Sequence, residues 1–103
     1  MNTIKTVDVT ALEWFDKVNG NSYFAGRVTL DFGMNTEREY VMPYQYGYDD
    51  HYRDMAFELL QKVGEVPEQK NTTSHWRYYD ENKIIARHVK HENCKKRELV
   101  NFE

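Results

Sequence analysis

The sequence lacks the features that mark several large classes of protein. Cysteine occurs once, at Cys94, so the chain cannot form an internal disulfide, which suits a reducing compartment. The five glycines are scattered and form no phosphate-binding loop. No apolar run approaches the roughly 18 residues that a membrane-spanning helix needs, and the first ten residues contain no apolar segment typical of a secretory signal. We therefore expect a soluble cytoplasmic protein with no membrane partner.

The chain also lacks a large excess of charge of either sign. Fourteen basic and 17 acidic residues give a net charge of -3, which is too mild for a mimic of DNA and not basic enough for a general nucleic-acid binder. Hydrophobic residues make up 40% of the 103 residues and aromatic residues 15%, a composition typical of a folded chain. The length predicts a single domain over residues 1–103.

The first third of the chain predicts strands joined by a tight turn. Ile4 to Val9 alternates and is rich in β-branched residues, which favours a strand. Thr10 to Glu13 fits a capping box that would begin a helical turn, whereas Glu13 to Val18 fits a further strand. Asn19-Gly20-Asn21 is a strong turn signal before Ser22 to Phe32, the next strand. We prefer the hairpin to the helical turn.

The middle of the chain predicts a strand and then the longest helix. The strand runs from Glu37 to Tyr44, and Pro43 near its end indicates an edge position, because proline cannot donate to a ladder. Asp49 or Asp50 can cap the helix, and Gly64 can end it in the left-handed conformation. Helical spacing puts six apolar residues on one face: Tyr52, Met55, Ala56, Leu59, Leu60 and Val63.

A second, shorter helix is expected after a polar loop. The loop covers Glu65 to Thr72, and Thr73 or Ser74 is a suitable cap for the helix that follows. The apolar side of this short helix would carry Trp76 and Tyr79.

The end of the chain predicts one more strand and a charged tail. The strand covers Ile84 to Lys90, and Leu99, Val100 and Phe102 are candidate packing residues within the tail. The predicted fold is α+β: a small antiparallel meander packed on one long and one short helix, in the order β-β-β-α-α-β. The sequence leaves open which edge of the sheet the last strand joins.

A dense run of tyrosines is the most informative feature that the sequence does contain. Five of the eight tyrosines fall between residues 40 and 52. Regular alternation would place Tyr40, Met42, Tyr44, Tyr46 and Tyr48 on one side of the strand. Tyrosine is rigid and amphipathic, so the run fits either a core edge with satisfied hydroxyls or an exposed platform for a protein or a base.

Residues that could carry chemistry form no specific motif. His88, His91 and Cys94 are spaced by three, but side chains three apart on a strand point to opposite faces and would not converge on zinc. The lysines and arginine after Cys94 could lower its pKa, yet no motif places a base beside it. The carboxylates Asp49 and Asp50 are explained by a helix N-terminus. We predict no catalytic residue, no metal site and no cofactor.

Four segments together resemble a family of small, uncharacterised bacteriophage proteins. They are WFDKVNGNSYF, YGYDDHYRDMAFELL, WRYYDEN and KKREL, spread from Trp14 to Leu99. The second is the most specific, and it carries Asp49 where the family pattern leads us to expect glycine. The resemblance implies a phage origin and expression in the cytoplasm of a bacterial host. It implies no established activity and therefore transfers no catalytic residue.

These observations predict a non-enzymatic phage accessory protein that binds a host protein, with counter-defence as one role of that kind. The predicted binding residues are Asn21, Tyr44, Tyr46, Tyr48 and Tyr52. The alternative is a protein that binds a nucleotide or single-stranded nucleic acid, with bases stacked on the tyrosines and phosphate or an acidic surface met by Lys95, Lys96 and Arg97. A homodimer also fits, because a meander leaves edge strands.

Overall fold

The computed structural model describes residues 4–69 and 74–102, and these form one four-stranded sheet with helices on both of its faces. The predicted α+β fold and the order β-β-β-α-α-β are confirmed, and a third, short helix follows. Within these residues, no helix is long and apolar enough to cross a membrane. The elements are β1 (Thr6–Asp16), β2 (Asn21–Leu30), β3 (Arg38–Tyr46), α1 (His51–Lys62), α2 (His75–Glu81), β4 (Ile85–His91) and α3 (Lys96–Val100).

The sheet has the strand order β3-β2-β1-β4. The first three strands form the expected antiparallel meander, and β3 with its Pro43 lies at an edge as predicted. The last strand joins the other edge, where it runs parallel to β1. A parallel neighbour requires a crossover, and α1 and α2 provide it by covering one face of the sheet between β3 and β4.

The hairpin prediction is confirmed and the capping-box alternative is wrong. Residues 10–13 lie within β1, which pairs with β2 without interruption from Val7 to Asp16. Cross-strand pairing outweighs the local capping pattern here, because the adjacent backbones lie very close. A Cβ atom on Gly26 would stand 2.2 Å from the carbonyl oxygen of Thr10, so this contact needs glycine.

The main core lies between the sheet and α1. Tyr52, Ala56 and Leu60 of the predicted stripe are buried, and Met55 and Leu59 are partly buried against the core. Val63, the last member of the predicted stripe, is 41% exposed. Phe57 is buried although the predicted stripe omitted it, because α2 packs beside α1 and widens the covered face.

The ends of α1 agree in part with the caps predicted from the sequence. Gly64 has φ +85°, the left-handed conformation expected after the last turn. Asp50 occupies the N-cap position, but its carboxylate makes no capping hydrogen bond to the described residues and lies 3.6 Å from Arg53 instead. Asp49 has φ +51°, a conformation that glycine adopts most easily.

The short helix α2 presents a different face from the predicted one. His75, Tyr78 and Tyr79 contact the ring of Phe57, and their i, i+3, i+4 spacing makes one face. Tyr79 is buried as predicted, but Trp76 is 65% exposed, so its assignment to the packed side is wrong. Ser74 is the N-cap residue; the alternative cap at Thr73 and residues 70–72 of the loop predicted over Glu65 to Thr72 lie outside the described residues.

The second face of the sheet is covered by α3. Leu99 of this helix is fully buried, as is Ala25 of β2, and neither belongs to the core cluster beneath α1. Phe102 lies under the guanidinium of Arg27, 4.9 Å from it. Of the three tail residues expected to pack, Leu99 does so fully, whereas Val100 is 53% exposed.

Candidate functional site

A β-bulge in β3 decides where the tyrosines point. Met42 pairs with Gly26 and Gln45 pairs with Phe24, so β3 contains one more residue than β2 over this stretch. The extra residue reverses the alternation after Pro43. Met42 therefore faces the core beneath α1, whereas Tyr44 and Tyr46 lie on the opposite face beside Tyr23. Regular alternation, which would place the whole tyrosine run on one side, is therefore broken.

Three aromatic rings from three strands form a stacked row on that opposite face. The ring centroid of Tyr23 lies 5.6 Å from that of Trp14 and 5.2 Å from that of Tyr44, with interplanar angles of 26° and 15°. Tyr46 meets Tyr23 edge-on at 5.8 Å. Such distances are favourable for aromatic pairs, and each pair stabilises the arrangement by about 0.5–1.5 kcal/mol. Burial raises the pKa of Tyr44, so its hydroxyl remains a hydrogen-bond donor.

Large apolar side chains are exposed at this end of the sheet, where the β1–β2 hairpin turns. Phe15 is 50% exposed, Val18 in the turn 91%, Tyr46 54% and Tyr48 60%. We call this region the hairpin-end surface; it comprises Trp14, Val18, Tyr23, Tyr44, Tyr46 and Tyr48. A rigid aromatic row with exposed aromatic neighbours is typical of a site that binds another molecule.

The structure brings together most of the residues that the sequence nominated for binding. Asn21 begins β2 at the same end of the sheet, next to the hairpin turn, and Tyr44, Tyr46 and Tyr48 belong to the hairpin-end surface. Tyr52 does not join them, because it is 3% exposed and packs in the core.

Tyr40 has the other role that the sequence allowed for these tyrosines, at the edge of the core. It packs against the core, and its hydroxyl donates to the carboxylate of Glu65 at 2.5 Å. Arg38 binds the same carboxylate with two nitrogens, at 2.7 and 2.8 Å. Tyr40 is thus a core-edge residue with a satisfied hydroxyl, whereas Tyr44 and Tyr46 lie on the other face of the sheet.

The basic segment at the start of α3 lies beside the aromatic row. Lys95, Lys96 and Arg97 are all exposed, and the Lys96 ammonium lies 5.6 Å from the centroid of the Trp14 ring. This cation covers Trp14, and Tyr23 has a ring stacked on either side. These two rings therefore offer edges to a ligand, while their neighbours Tyr46 and Tyr48 are more than half exposed.

The residues considered for catalysis or zinc do not converge. Burial raises the pKa of the Cys94 thiol, although the nearby cations could have lowered it, and the thiol donates to the carbonyl oxygen of His91 at 3.3 Å. His88 pairs with Val9 and His91 with Leu12, so the two imidazoles lie on opposite faces of the sheet as predicted.

Trp14, Val18 and Tyr23 are the members of the site that residue-by-residue reasoning missed. The predicted hairpin held the signal, because a turn at residues 17–20 makes Trp14 and Tyr23 direct cross-strand partners. Directly opposed aromatic residues on one face of a hairpin interact favourably.

Fold and site together define a small α+β domain whose mixed sheet ends in an exposed aromatic surface. No protein-family model, no curated protein and no solved structure matches this chain. Its function therefore has to be argued from the site itself.

Proposed function

We propose that this protein is a non-enzymatic interaction protein that binds a protein partner through the hairpin-end surface. The observation that carries the proposal is the concentration of half-exposed aromatic residues over a stacked, preorganised row. Tyrosine and tryptophan dominate the energetics of protein interfaces, since they bury a large area at a small cost in conformational entropy. A rigid row adds to this by reducing the ordering that binding requires.

The partner that we propose is a bacterial host protein. The segments that resemble small phage proteins include WFDKVNGNSYF and YGYDDHYRDMAFELL, and these supply every residue of the hairpin-end surface except Tyr44. A phage protein of this size without a catalytic motif fits a role in blocking a host factor, counter-defence included.

Two exposed tyrosines provide the test. Tyr46→Ala combined with Tyr48→Ala should weaken binding by about 2–4 kcal/mol, roughly 30- to 1000-fold, while the fold is retained because both side chains are more than half exposed. Wild type and variant would be compared as baits in bacterial lysate, and the dissociation constant then measured with the purified partner.

Phe32→Ala is the matched control. Phe32 is an aromatic residue of 65% exposure that follows β2 at the other end of the sheet, so its removal should leave the partner bound. Equal binding by wild type and the double variant would contradict the proposal. Loss of the native circular-dichroism spectrum in the double variant would mean that the tyrosines act in the fold.

Binding of single-stranded nucleic acid is the second candidate, because Lys95, Lys96 and Arg97 lie next to the aromatic row. Affinity for a labelled oligonucleotide would then fall steeply as salt rises. We favour a protein partner, since stacking on bases needs free ring faces and both faces of Tyr23 are already covered. Salt-sensitive binding that is lost in Lys96→Ala would reverse this preference.

A further inference from the structure

A cavity of about 280 Å³ lies on the core side of the sheet, far from the aromatic row and next to β4. It is lined chiefly by polar and aromatic side chains from α1, α2 and β4, including Arg53, His75, Trp76, Tyr79, Asp80 and His88.

Three polar atoms of this lining are buried without a hydrogen-bond partner among the described residues. They are Nδ1 of His75, the hydroxyl of Tyr79 and Nε2 of His88. The Tyr79 residue is only 3% exposed. Buried polar groups are nearly always paired in folded proteins, with protein groups or with ordered water, so these three atoms are available to water or to another ligand.

The spacing of the His75 and His88 rings suits one shared metal ion. Their centroids lie 5.4 Å apart, with an angle of 57° between the ring planes. A tetrahedral zinc ion bound at about 2.0–2.1 Å to one nitrogen of each ring would hold the centroids roughly 5 Å apart.

The surroundings of His75 also fit a metal ligand. Its other nitrogen, Nε2, lies 3.6 Å from the Asp54 carboxylate, so binding through Nδ1 would leave the Nε2 proton directed towards an anion. A carboxylate behind a histidine ligand is the usual arrangement in zinc sites. Asp54 and Asp80 supply negative charge beside the cavity, against the single guanidinium of Arg53.

We propose that His75 Nδ1 and His88 Nε2 bind one divalent transition-metal ion of the zinc type, with water completing its coordination. The Tyr79 hydroxyl hydrogen-bonds to a metal-bound water, so that all three unpaired atoms acquire partners. Among residues 4–69 and 74–102, no three His, Cys, Asp or Glu side chains converge, which makes this an open site with two protein ligands. The sequence alone does not reveal this pair, because the two histidines are not neighbours in the chain.

Zinc titration of the purified full chain tests the proposal. Calorimetry with Zn²⁺ in chelator-free buffer should show one site, and His75→Ala or His88→Ala should weaken it by more than about 100-fold, since even outer residues of metal sites are worth about 10–100-fold. The matched control is His91→Ala: His91 is an exposed histidine of the same strand as His88 but on the other face, so its loss should change nothing.

Two further measurements keep the test valid if an alanine variant unfolds. Asp54→Asn changes a side chain that is 68% exposed and should weaken zinc about tenfold without disturbing the fold. Nitrogen NMR of the imidazoles should show zinc-induced shifts at Nδ1 of His75 and Nε2 of His88. Shifts confined to His51 or His91, equal affinity in His75→Ala and His91→Ala, or no binding at millimolar Zn²⁺ would each overturn the proposal.

Discussion

At the scale of single residues, the buried carboxylate of Asp31 holds two segments of the chain together. Asp31 is fully buried and follows β2 with φ +52°. Its carboxylate accepts hydrogen bonds from the backbone N–H groups of Lys5 and Thr6 at 2.7 and 3.2 Å, from the Thr36 hydroxyl at 2.7 Å and from Arg38 at 3.2 Å. It thereby ties the start of β1 to the turn before β3.

These bonds make Asp31 a source of pH-dependent stability. Burial alone would raise its pKa, but the hydrogen bonds outweigh burial and lower it from 3.8 to about 2. A depressed pKa stabilises the folded state above the unfolded-state value of 3.8, and this contribution, about 2 kcal/mol, is lost as the pH falls through about 2. Urea unfolding at pH 7 and near pH 2.5 should show a smaller acid loss for Asp31→Asn than for wild type.

The control for this prediction is Glu81→Gln, an exposed carboxylate at the end of α2. It should leave both the stability and its acid dependence close to those of wild type. If wild type and Asp31→Asn lost the same free energy of unfolding on acidification, the role given to Asp31 would be contradicted.

Asparagine also leaves part of the hydrogen-bond network unpaired, so we expect Asp31→Asn to be less stable at pH 7 by about 1–3 kcal/mol.

At the scale of elements, the sequence predicted strands and helices well but could not predict their faces after an irregularity. A strand was expected over Glu37 to Tyr44 and is observed at Arg38–Tyr46, and its edge position was expected from Pro43. The bulge beside Pro43 was not, because its register depends on how Gly26 and Phe24 of β2 pair with it. That single extra residue decides whether Tyr44 and Tyr46 lie in the core or on the surface. The sequence could therefore name residues of the candidate site but not the face of the sheet on which they lie.

The C-termini of α1 and α2 share one hydrogen-bonding motif. Both end with a hydrogen bond that spans five residues: Glu65 N–H to Leu60 O at 2.9 Å, and Ile84 N–H to Tyr79 O at 2.8 Å. The residue that this motif holds in the left-handed conformation is Gly64 in α1 but Lys83, with φ +57°, in α2. Glycine avoids a steric cost of about 1–2 kcal/mol there.

Exchanging the residue types should therefore change stability in opposite directions. Lys83→Gly should stabilise the protein by about 0.5–1 kcal/mol, part of the steric gain being offset by the greater freedom of unfolded glycine. Gly64→Ala should destabilise it by about 1 kcal/mol through the backbone alone, since a Cβ there meets no atom of the described residues within 4 Å. Urea melts of both variants check this, and a destabilised Lys83→Gly would contradict it.

At the scale of the whole molecule, the protein has three layers where the sequence predicted two. The predicted meander and long helix form the main core, and the tail was expected to contribute packing residues without a defined place. It instead forms α3 across the second face, where it contacts β1, β2 and β3. Five residues give too short a periodic pattern for a helix to be inferred. The parallel pairing of β4 with β1 was equally beyond the sequence, because it is set by where the crossover returns.

If α3 is an integral layer, its one buried residue should matter to the whole fold. Leu99→Ala removes a fully buried side chain and should lower the free energy of unfolding by about 2–4 kcal/mol, whereas Val100→Ala, at 53% exposure, should cost less than about 0.5 kcal/mol. The Lys96 ammonium contacts Trp14, so loosening α3 also uncovers this ring. In a Trp76→Phe background, tryptophan fluorescence reports on Trp14 alone and should show increased solvent quenching in Leu99→Ala. Equal, small effects of the two substitutions would mean that α3 lies on the sheet without stabilising it, and the hairpin-end surface would then extend beneath it.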